Sequence, residues 1–343
     1  MIADALAKTW ARRAVTAIPL VPADEDSPSS GAPMHTAAAQ AIVANVERVV
    51  HGRRRAVELV ACTLLSGGHA LVEDIPGSGK TTLARAFARS LGGVFHRIQA
   101  TADLLPSDIT GSGIWEPDAH AFRFVPGPIF GHVVLVDELN RTPPRTQSAF
   151  LEAMDEAAVT VDGQRHPLPD PFFVIATQNP LEQHGTFPLP EGQLDRFAMC
   201  LRLGALDVAS ERQVVREQLV RATVDDLSPV IDPAQLQALR SAVRATFVAD
   251  AALEYCLAIV RATREDPRVR VGASSRAAIA LLRCAQARAV LYGREYVVPD
   301  DAKALAAPVL AHRLSLVQRP TSPEHPEHLV NEIVERVAVP LRP

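Results

Sequence analysis

Lysine is nearly absent from this 343-residue chain: Lys8, Lys80 and Lys303 are the only three among 35 basic residues. Arginine carries positive charge everywhere else, so a position that keeps a compact ammonium invites a functional reason. Lys80 stands in the run GSGKTT. Cysteine is scarce too. Cys62, Cys200, Cys256 and Cys284 lie far apart among apolar residues with no C-x-x-C pair, which excludes a cysteine metal site or a disulfide framework and leaves buried, reduced thiols. Aromatic residues make up only 5% and the formal net charge is -4, so neither stacking platforms nor a global positive field favours nucleic acid. The sequence has no run of about 18 or more uncharged apolar residues and no signal-peptide core at its N-terminus. A soluble, cytoplasmic protein is expected, with no nucleic-acid ligand and no direct membrane insertion.

What is present is apolar pattern in quantity: with 48% hydrophobic residues the chain can bury two cores. PADEDSPSSGAP, residues 22–33, cannot bury enough apolar surface to order itself, and residues 1–36 are expected as a flexible arm. Met34 opens the first patterned segment, so translation from Met34 is an alternative that mass spectrometry of the native protein checks. HALVED reads as a short strand leading into a Pro-Gly loop, KTTLARAFARSLGG as a helix with a Gly-Gly stop, and VFHRIQA as a second strand. HVVLVDELN (132–140) and FFVIATQNP (172–180) are apolar runs of parallel-sheet type, separated by the helical PRTQSAFLEAMDEA. This alternation predicts an α/β fold over residues 37–205, with a parallel sheet covered on both faces. Hairpins are expected at 113–127 and 158–168, the second turning at Asp162-Gly163. Beyond about residue 205 strand signals nearly stop, and helical patterning at 208–262 and 276–291 predicts a smaller, all-helical domain over 206–343.

The run EDIPGSGKTTLARAF holds only the second half of the phosphate-loop pattern G-x-x-x-x-G-K-[ST], because Asp74 stands where the first glycine belongs. Context supplies what the pattern lacks. The run follows a strand and opens a helix, so free backbone N–H groups and the helix dipole point toward a bound anion. Pro76 and Gly77 turn the chain into the loop, and Gly77, Ser78 and Gly79 can wrap phosphates. Lys80 places a point charge near the β- and γ-phosphates, and Thr81, followed by Thr82, offers a hydroxyl to magnesium. VVLVDE supplies the other half: Asp137 to hold the metal through its waters, and Glu138 to polarise the attacking water as general base. ATP and Mg2+ are the expected cofactors.

With these residues in place the chain resembles the MoxR family of AAA+ ATPases over about residues 38–318, through EDIPGSGKTTLA, PSDITG, FVPGPIFGHVVLVDELNRTPPRTQSAFLEAMDE, FFVIATQNPLEQHGTFPLPEGQLDRF and GASSRAAIALLRCAQARA followed by VVPDD. The resemblance implies an αβα P-loop core with a helix-2 insert and a hairpin before the sensor-1 strand, then a helical lid. It accepts Asp ahead of the Pro-Gly. It implies that Val50, His51 and Gly52 line the adenine through backbone contacts, although His51 stands where an aliphatic residue is usual. It makes Asn179 the sensor-1 residue beside the attacking water, and Arg196 the arginine finger that reaches a neighbouring subunit's nucleotide. It makes Arg276 the sensor-2 arginine, contacting the γ-phosphate of its own subunit, with Ser275 where many relatives have Pro. Arg141 and Arg145 either face a neighbouring subunit or sit on a solvated turn. Trp115 and Phe122 either grip a partner at the pore of a ring or pack on each other across the first hairpin.

The function implied is that of an ATP-hydrolysing, chaperone-like remodeller. It would form a homo-oligomeric ring, taken as a hexamer, and assist maturation or metal and cofactor insertion in a client complex, with a von Willebrand factor A-type domain protein as partner. Two alternatives stay open: a motor of magnesium-chelatase or DNA-remodelling type, and a nucleotide-gated assembly switch with little turnover. The acidic balance and the MoxR-type stretches count against the first; intact Glu138, Asn179 and Arg196 count against the second.

Overall fold

The computed structural model of the protein describes residues 32–74, 77–118, 120–179, 185–219, 224–318, 322 and 325–340. Residues 1–31, most of the expected arm, lie outside the described residues. Helix α1 already begins at Ala32 and runs to Glu47, so residues 32–36 are helical. The Thr36 hydroxyl donates to the Val290 carbonyl at 3.1 Å, tying this end to the second domain. Helix α2 (Arg54–Ser66) stops at Gly67, whose left-handed backbone (φ 80°) lets the N–H groups of Gly67 and Gly68 return to the carbonyls of Leu64 and Thr63.

The core domain continues as β1 (Ala70–Glu73), α3 (Lys80–Ser90), β2 (Phe95–Gln99), the short α4 (Pro106–Thr110) and a hairpin of β3 (Gly111–Glu116) and β4 (Ala121–Pro126). Then come β5 (Val133–Asp137), α5 (Pro144–Glu156), a second hairpin of β6 (Ala158–Val161) and β7 (Gln164–Pro167), β8 (Phe173–Gln178) and β9 (Met199–Leu201). Five strands form one parallel sheet in the order β2-β5-β8-β1-β9. Every residue of β5 is buried, as is all of β8 but its last, which is why these strands read as unbroken apolar runs. The three-residue β9 is too short to carry a period and gives no sequence signal. In the second hairpin, Asp162 and Gly163 both take positive φ (50° and 77°), the demand that Asp-Gly meets.

The second domain holds α6 (Val208–Leu219), α7 (Pro233–Ala245), α8 (Asp250–Glu265), α9 (Ser275–Leu291), α10 (Pro299–Leu310) and α11 (His325–Arg336). Its described residues add to these helices one antiparallel pair, β10 (Val269–Val271) with β11 (Ser315–Leu316), and an isolated bridge of Phe247 with Tyr296, none of which the pattern announces. Helix starts follow their local chemistry: Asp232 and Gln235 bond reciprocally ahead of α7, and the Ser274 hydroxyl accepts from the Ala277 N–H at 3.2 Å ahead of α9. One apolar cluster runs from α2 and α3 into the second domain, through buried Val57, Leu64, Phe87, Leu239, Leu281 and Leu305. Each such side chain contributes about 1.5–3 kcal/mol by burial, so residue 205 marks a change of architecture rather than a gap in the core.

No described helix is long and apolar enough to cross a membrane. All four cysteines are free and buried, and burial pushes the Cys256 and Cys284 thiols up to about 11, which removes them as nucleophiles.

Candidate nucleotide site

Parallel strands deliver the loops that follow them to one edge of the sheet, and a crevice opens there beside the strand where connections reverse. Here that strand is β1, with β8 on one side and β9 on the other. The 77–79 loop follows β1, Asn179 follows β8, and Asp137 with Glu138 ends β5. Adjacent strands lie roughly 4.8 Å apart, so the loop and the acid pair stand about 10 Å from each other with β8 between them. Gly77, Ser78, Gly79, Lys80, Thr81 and Thr82 line one side of a cavity of about 360 Å³, and Asp137, Glu138 and Asn179 line it opposite. Pro76 lies outside the described residues.

Gly77 and Gly79 both adopt left-handed backbone (φ 80° and 89°), a conformation closed to most side chains, and Gly79 is the residue from which α3 starts. Successive N–H groups in such a loop, with a helix N-terminus behind them, form an anion nest. Lys80 Nζ spans the loop and donates to the Asp74 carbonyl at 2.8 Å. Burial lowers the Lys80 pKa, opposed by Asp74, Asp137 and Glu138. The Asp74 carboxylate accepts from the Leu203 N–H at 3.1 Å, so the residue that replaces the pattern's first glycine pins the base of the loop to the chain after β9.

The acid pair is held from three sides. Glu138 has positive φ (58°), which is strained for a residue with a side chain and is set by the tight turn after β5. The Thr177 hydroxyl accepts from the Glu138 N–H at 2.9 Å and donates to Asp137 at 3.3 Å. Arg97 donates to Asp137 at 2.7 Å, Gln99 reaches Glu138 at 3.4 Å, and Arg141 pairs with Glu138 at 2.9 Å. Arg141 thus lies on the acid pair of its own chain. Arg97, Gln99 and Thr177 belong to no motif. Their signal is strand parity: Arg97 and Gln99 flank buried Ile98, and Thr177 lies two residues before Asn179, so each pair shares a face once the register of Gln99 with Asp137 is known. Thr177→Val keeps the volume but leaves the Glu138 N–H without its acceptor, and is expected to slow ATP turnover about tenfold with ATP affinity nearly unchanged. Turnover within about twofold of wild type would show that the hydroxyl does not position the pair.

Among the described residues, no group of three or more His, Cys, Asp or Glu side chains could hold a metal by itself. The Thr81 hydroxyl and the Asp137 carboxylate are hard oxygen donors facing one cavity, a set that suits magnesium when phosphate oxygens and water complete the shell.

Of Val50, His51 and Gly52, only Gly52 lines a second cavity, of about 370 Å³, walled by apolar Ala56, Leu59, Leu201 and Leu203, by Ala307 and Pro308 of α10, and by the charged Arg53, Arg55, Arg202 and Glu327. Val50 is buried in the core. Arg196 and Arg276 lie elsewhere. Arg196 donates to the Leu151 carbonyl at 2.7 Å and pairs with Asp155 at 3.0 Å, and Arg276 reaches the same Asp155 at 3.9 Å. Asp155 follows Met154, whose carbonyl contacts His69 at 3.1 Å just before β1 begins. That is the edge of the sheet opposite the phosphate loop, roughly 15 Å away along the strand. Helix α9 starts beside the end of α5, where the Ser274 hydroxyl donates to Asp195 at 3.2 Å, and Arg276 shares the Asp155 carboxylate with Arg196. On the first hairpin, Trp115 and Phe122 pack edge to face with centroids 5.2 Å apart, the local pairing.

Residues 69–199 match the model of the ATPase family associated with various cellular activities (AAA), and residues 261–337 match an AAA lid domain. The chain is 46% identical over 309 residues to YeaC of Bacillus subtilis, a protein of uncharacterized function, covering 88% of this chain and 94% of that one. It is 37% identical over 305 residues to Chaperone MoxR1 of Mycobacterium tuberculosis, covering 86% and 80%. It is 31% identical over 295 residues to the MoxR protein of Methylorubrum extorquens, covering 79% and 85%. Among solved structures, a protein assigned as an ATPase from Cytophaga hutchinsonii superposes with a TM-score of 0.81 at 34% identity, covering 90% and 97%. An MCM homolog from Methanopyrus kandleri, at 17% identity and a TM-score of 0.54, shares the fold alone. A nucleotide-binding core and a helical lid that match AAA models, together with relatives of this identity over most of the chain, show the family: the protein belongs to the MoxR family of AAA+ ATPases.

Proposed function

We propose that the protein hydrolyses ATP, that its active sites are completed between copies of the chain, and that it uses the cycle to remodel other proteins as a chaperone. The observation that carries this reading is the division of the hydrolytic parts between two edges of one sheet. The phosphate loop, Asp137, Glu138 and Asn179 gather at one edge, while Arg196 and Arg276 gather at the other. A chain cannot bring its own Arg196 to its own phosphates, but a neighbour in a closed ring presents that edge to the next copy's cavity.

In this reading the loop N–H groups and Lys80 hold the β- and γ-phosphates. Magnesium, bound by Thr81 and Asp137 with the phosphates, supplies charge neutralisation on the transferring group. The Glu138 carboxylate accepts a proton from the attacking water while Asn179 orients that water, and Arg196 of the neighbour spreads the charge that develops on the γ-phosphoryl oxygens. Gly52 and the apolar wall of the second cavity take the base, next to α10, so a change in the bound phosphates can shift the helical domain against the core. The hexameric state, the von Willebrand factor A-type partner, the maturation or metallation of a client and a cytoplasmic location extend this reading from the family resemblance; the M. tuberculosis relative is named a chaperone.

Steady-state hydrolysis against protein concentration tests the proposal. Turnover per subunit is expected to rise as rings assemble, and Arg196→Ala is expected to lower it about a thousandfold while each chain still binds ATP. Concentration-independent turnover together with a normal Arg196→Ala variant would remove the shared site.

A further inference from the structure

Arg53 lines the second cavity and reaches the phosphate loop that lines the first. Its side chain forms part of the wall of the base-side cavity, and its Nη1 donates to the Ser78 carbonyl of the phosphate loop. The same nitrogen stands 3.7 Å from the place a Cβ on Gly79 would occupy. Arg53 Nε is buried without a hydrogen-bond partner, and desolvation lowers the guanidinium pKa, with the charge of Asp74 opposing. Position 53 lies in a run of three arginines, so charge alone does not single it out. Arg54 is engaged on the surface by Glu47 and Glu58 at 3.0 and 2.9 Å. Arg53 instead turns inward, a half-buried cation that holds a neutral carbonyl while another of its donors stays unmet, which is an incomplete environment for a charge.

A nucleotide with its base in one cavity and its terminal phosphates in the other must pass this point with its ribose and α-phosphate, the groups that join the two ends. We propose that Arg53 is a nucleotide-binding residue that exchanges the Ser78 carbonyl for the α-phosphate of ATP or ADP. The inference rests on the nucleotide-site reading above and adds to it a second cation besides Lys80, acting at a different phosphate. The exchange is favourable on elementary grounds: guanidinium to phosphate is charge-assisted, it can use two parallel N–H donors, and it gives the unmet Nε–H an acceptor. Because ATP and ADP carry the same α-phosphate, both depend on Arg53 to the same degree.

The test is titration of the full chain with fluorescent ADP, with unlabelled ADP and ATP as competitors, for wild type, Arg53→Ala, Arg53→Gln and Arg53→Lys. Arg53→Ala and Arg53→Gln are expected to weaken ADP and ATP by similar factors, roughly tenfold or more. Arg53→Lys falls between them and wild type, and the losses shrink as salt rises. Glutamine can still donate to the Ser78 carbonyl, so near-normal affinity in Arg53→Gln beside a loss in Arg53→Ala overturns the proposal and makes Arg53 a brace for the loop. Normal affinity in both variants overturns it as well and leaves the nucleotide site intact. Thermal unfolding without nucleotide confirms that the compared variants are folded. If wild type binds neither ADP nor ATP, the nucleotide site itself fails and the role of Arg53 with it.

Discussion

Glu138→Gln is expected to lower steady-state ATP hydrolysis by a factor of about a hundred to ten thousand, the range of a lost general base, while ATP affinity stays within about threefold of wild type. The expectation separates binding from chemistry because the binding groups lie elsewhere. The loop glycines and Lys80 line the cavity from the β1 side, whereas Glu138 lines it from the β5 side with β8 between. Glutamine keeps the size of the side chain and can still meet Arg141 and Gln99, so the strained turn at φ 58° is retained. What is lost is the acceptor for the water's proton. Rapid mixing with ATP, followed by separate measurement of bound nucleotide and released phosphate, distinguishes the outcomes. Hydrolysis within tenfold of wild type would assign the base to another group, and loss of ATP binding would make Glu138 part of the cradle instead.

Which parts of this arrangement could be read from sequence follows from how each is encoded. The phosphate loop and the acid pair are local: glycines, Lys80 and Thr81 stand within a few residues, and Asp137-Glu138 closes an apolar run. The β5 and β8 strands are equally legible, since burial on both faces leaves only apolar residues. Arg97, Gln99 and Thr177 are invisible by comparison, because they become neighbours of the acid pair only through strand order and register, which period alone does not fix. Arg276 shows the same limit from the other side. Its motif marks it as special, yet the edge of the sheet it faces is decided by where α9 packs, and that depends on contacts between residues far apart in the chain, such as Ser274 with Asp195. The short β9 and the β10–β11 pair escape because two or three residues cannot display a period.

The largest expected loss of stability lies away from the phosphates, at Asp301. Its side chain is 0% exposed, and both carboxylate oxygens are engaged: Oδ1 accepts from Arg288 and from Arg294, the latter at 2.7 Å, and Oδ2 accepts from Arg294 at 2.7 Å and from the Val298 N–H at 3.0 Å. The position is the third residue of α10, so the carboxylate also faces the positive end of that helix. It thereby fastens α10 to the end of α9 and to the loop between them. Asp301→Ala removes the carboxylate that both arginines share and leaves two guanidinium groups, 23% and 22% exposed, facing a gap. Breaking a buried ion pair from one side costs about 3–5 kcal/mol, a large share of the 5–15 kcal/mol that holds a typical domain. Chemical denaturation is expected to show that loss, with a smaller one for Asp301→Asn, which keeps the shape and part of the hydrogen bonding. A loss below about 1 kcal/mol would mean that water reaches the two arginines as readily as the carboxylate did. The alanine variant is also expected to weaken nucleotide binding, because Ala307 and Pro308, two turns further along α10, wall the base-side cavity. Removing the charges on both sides separates the causes. With Arg288→Met and Arg294→Met added to Asp301→Ala, no cation remains to be desolvated, so most of the lost stability is expected to return, and nucleotide affinity returns with it only if α10 regains its place.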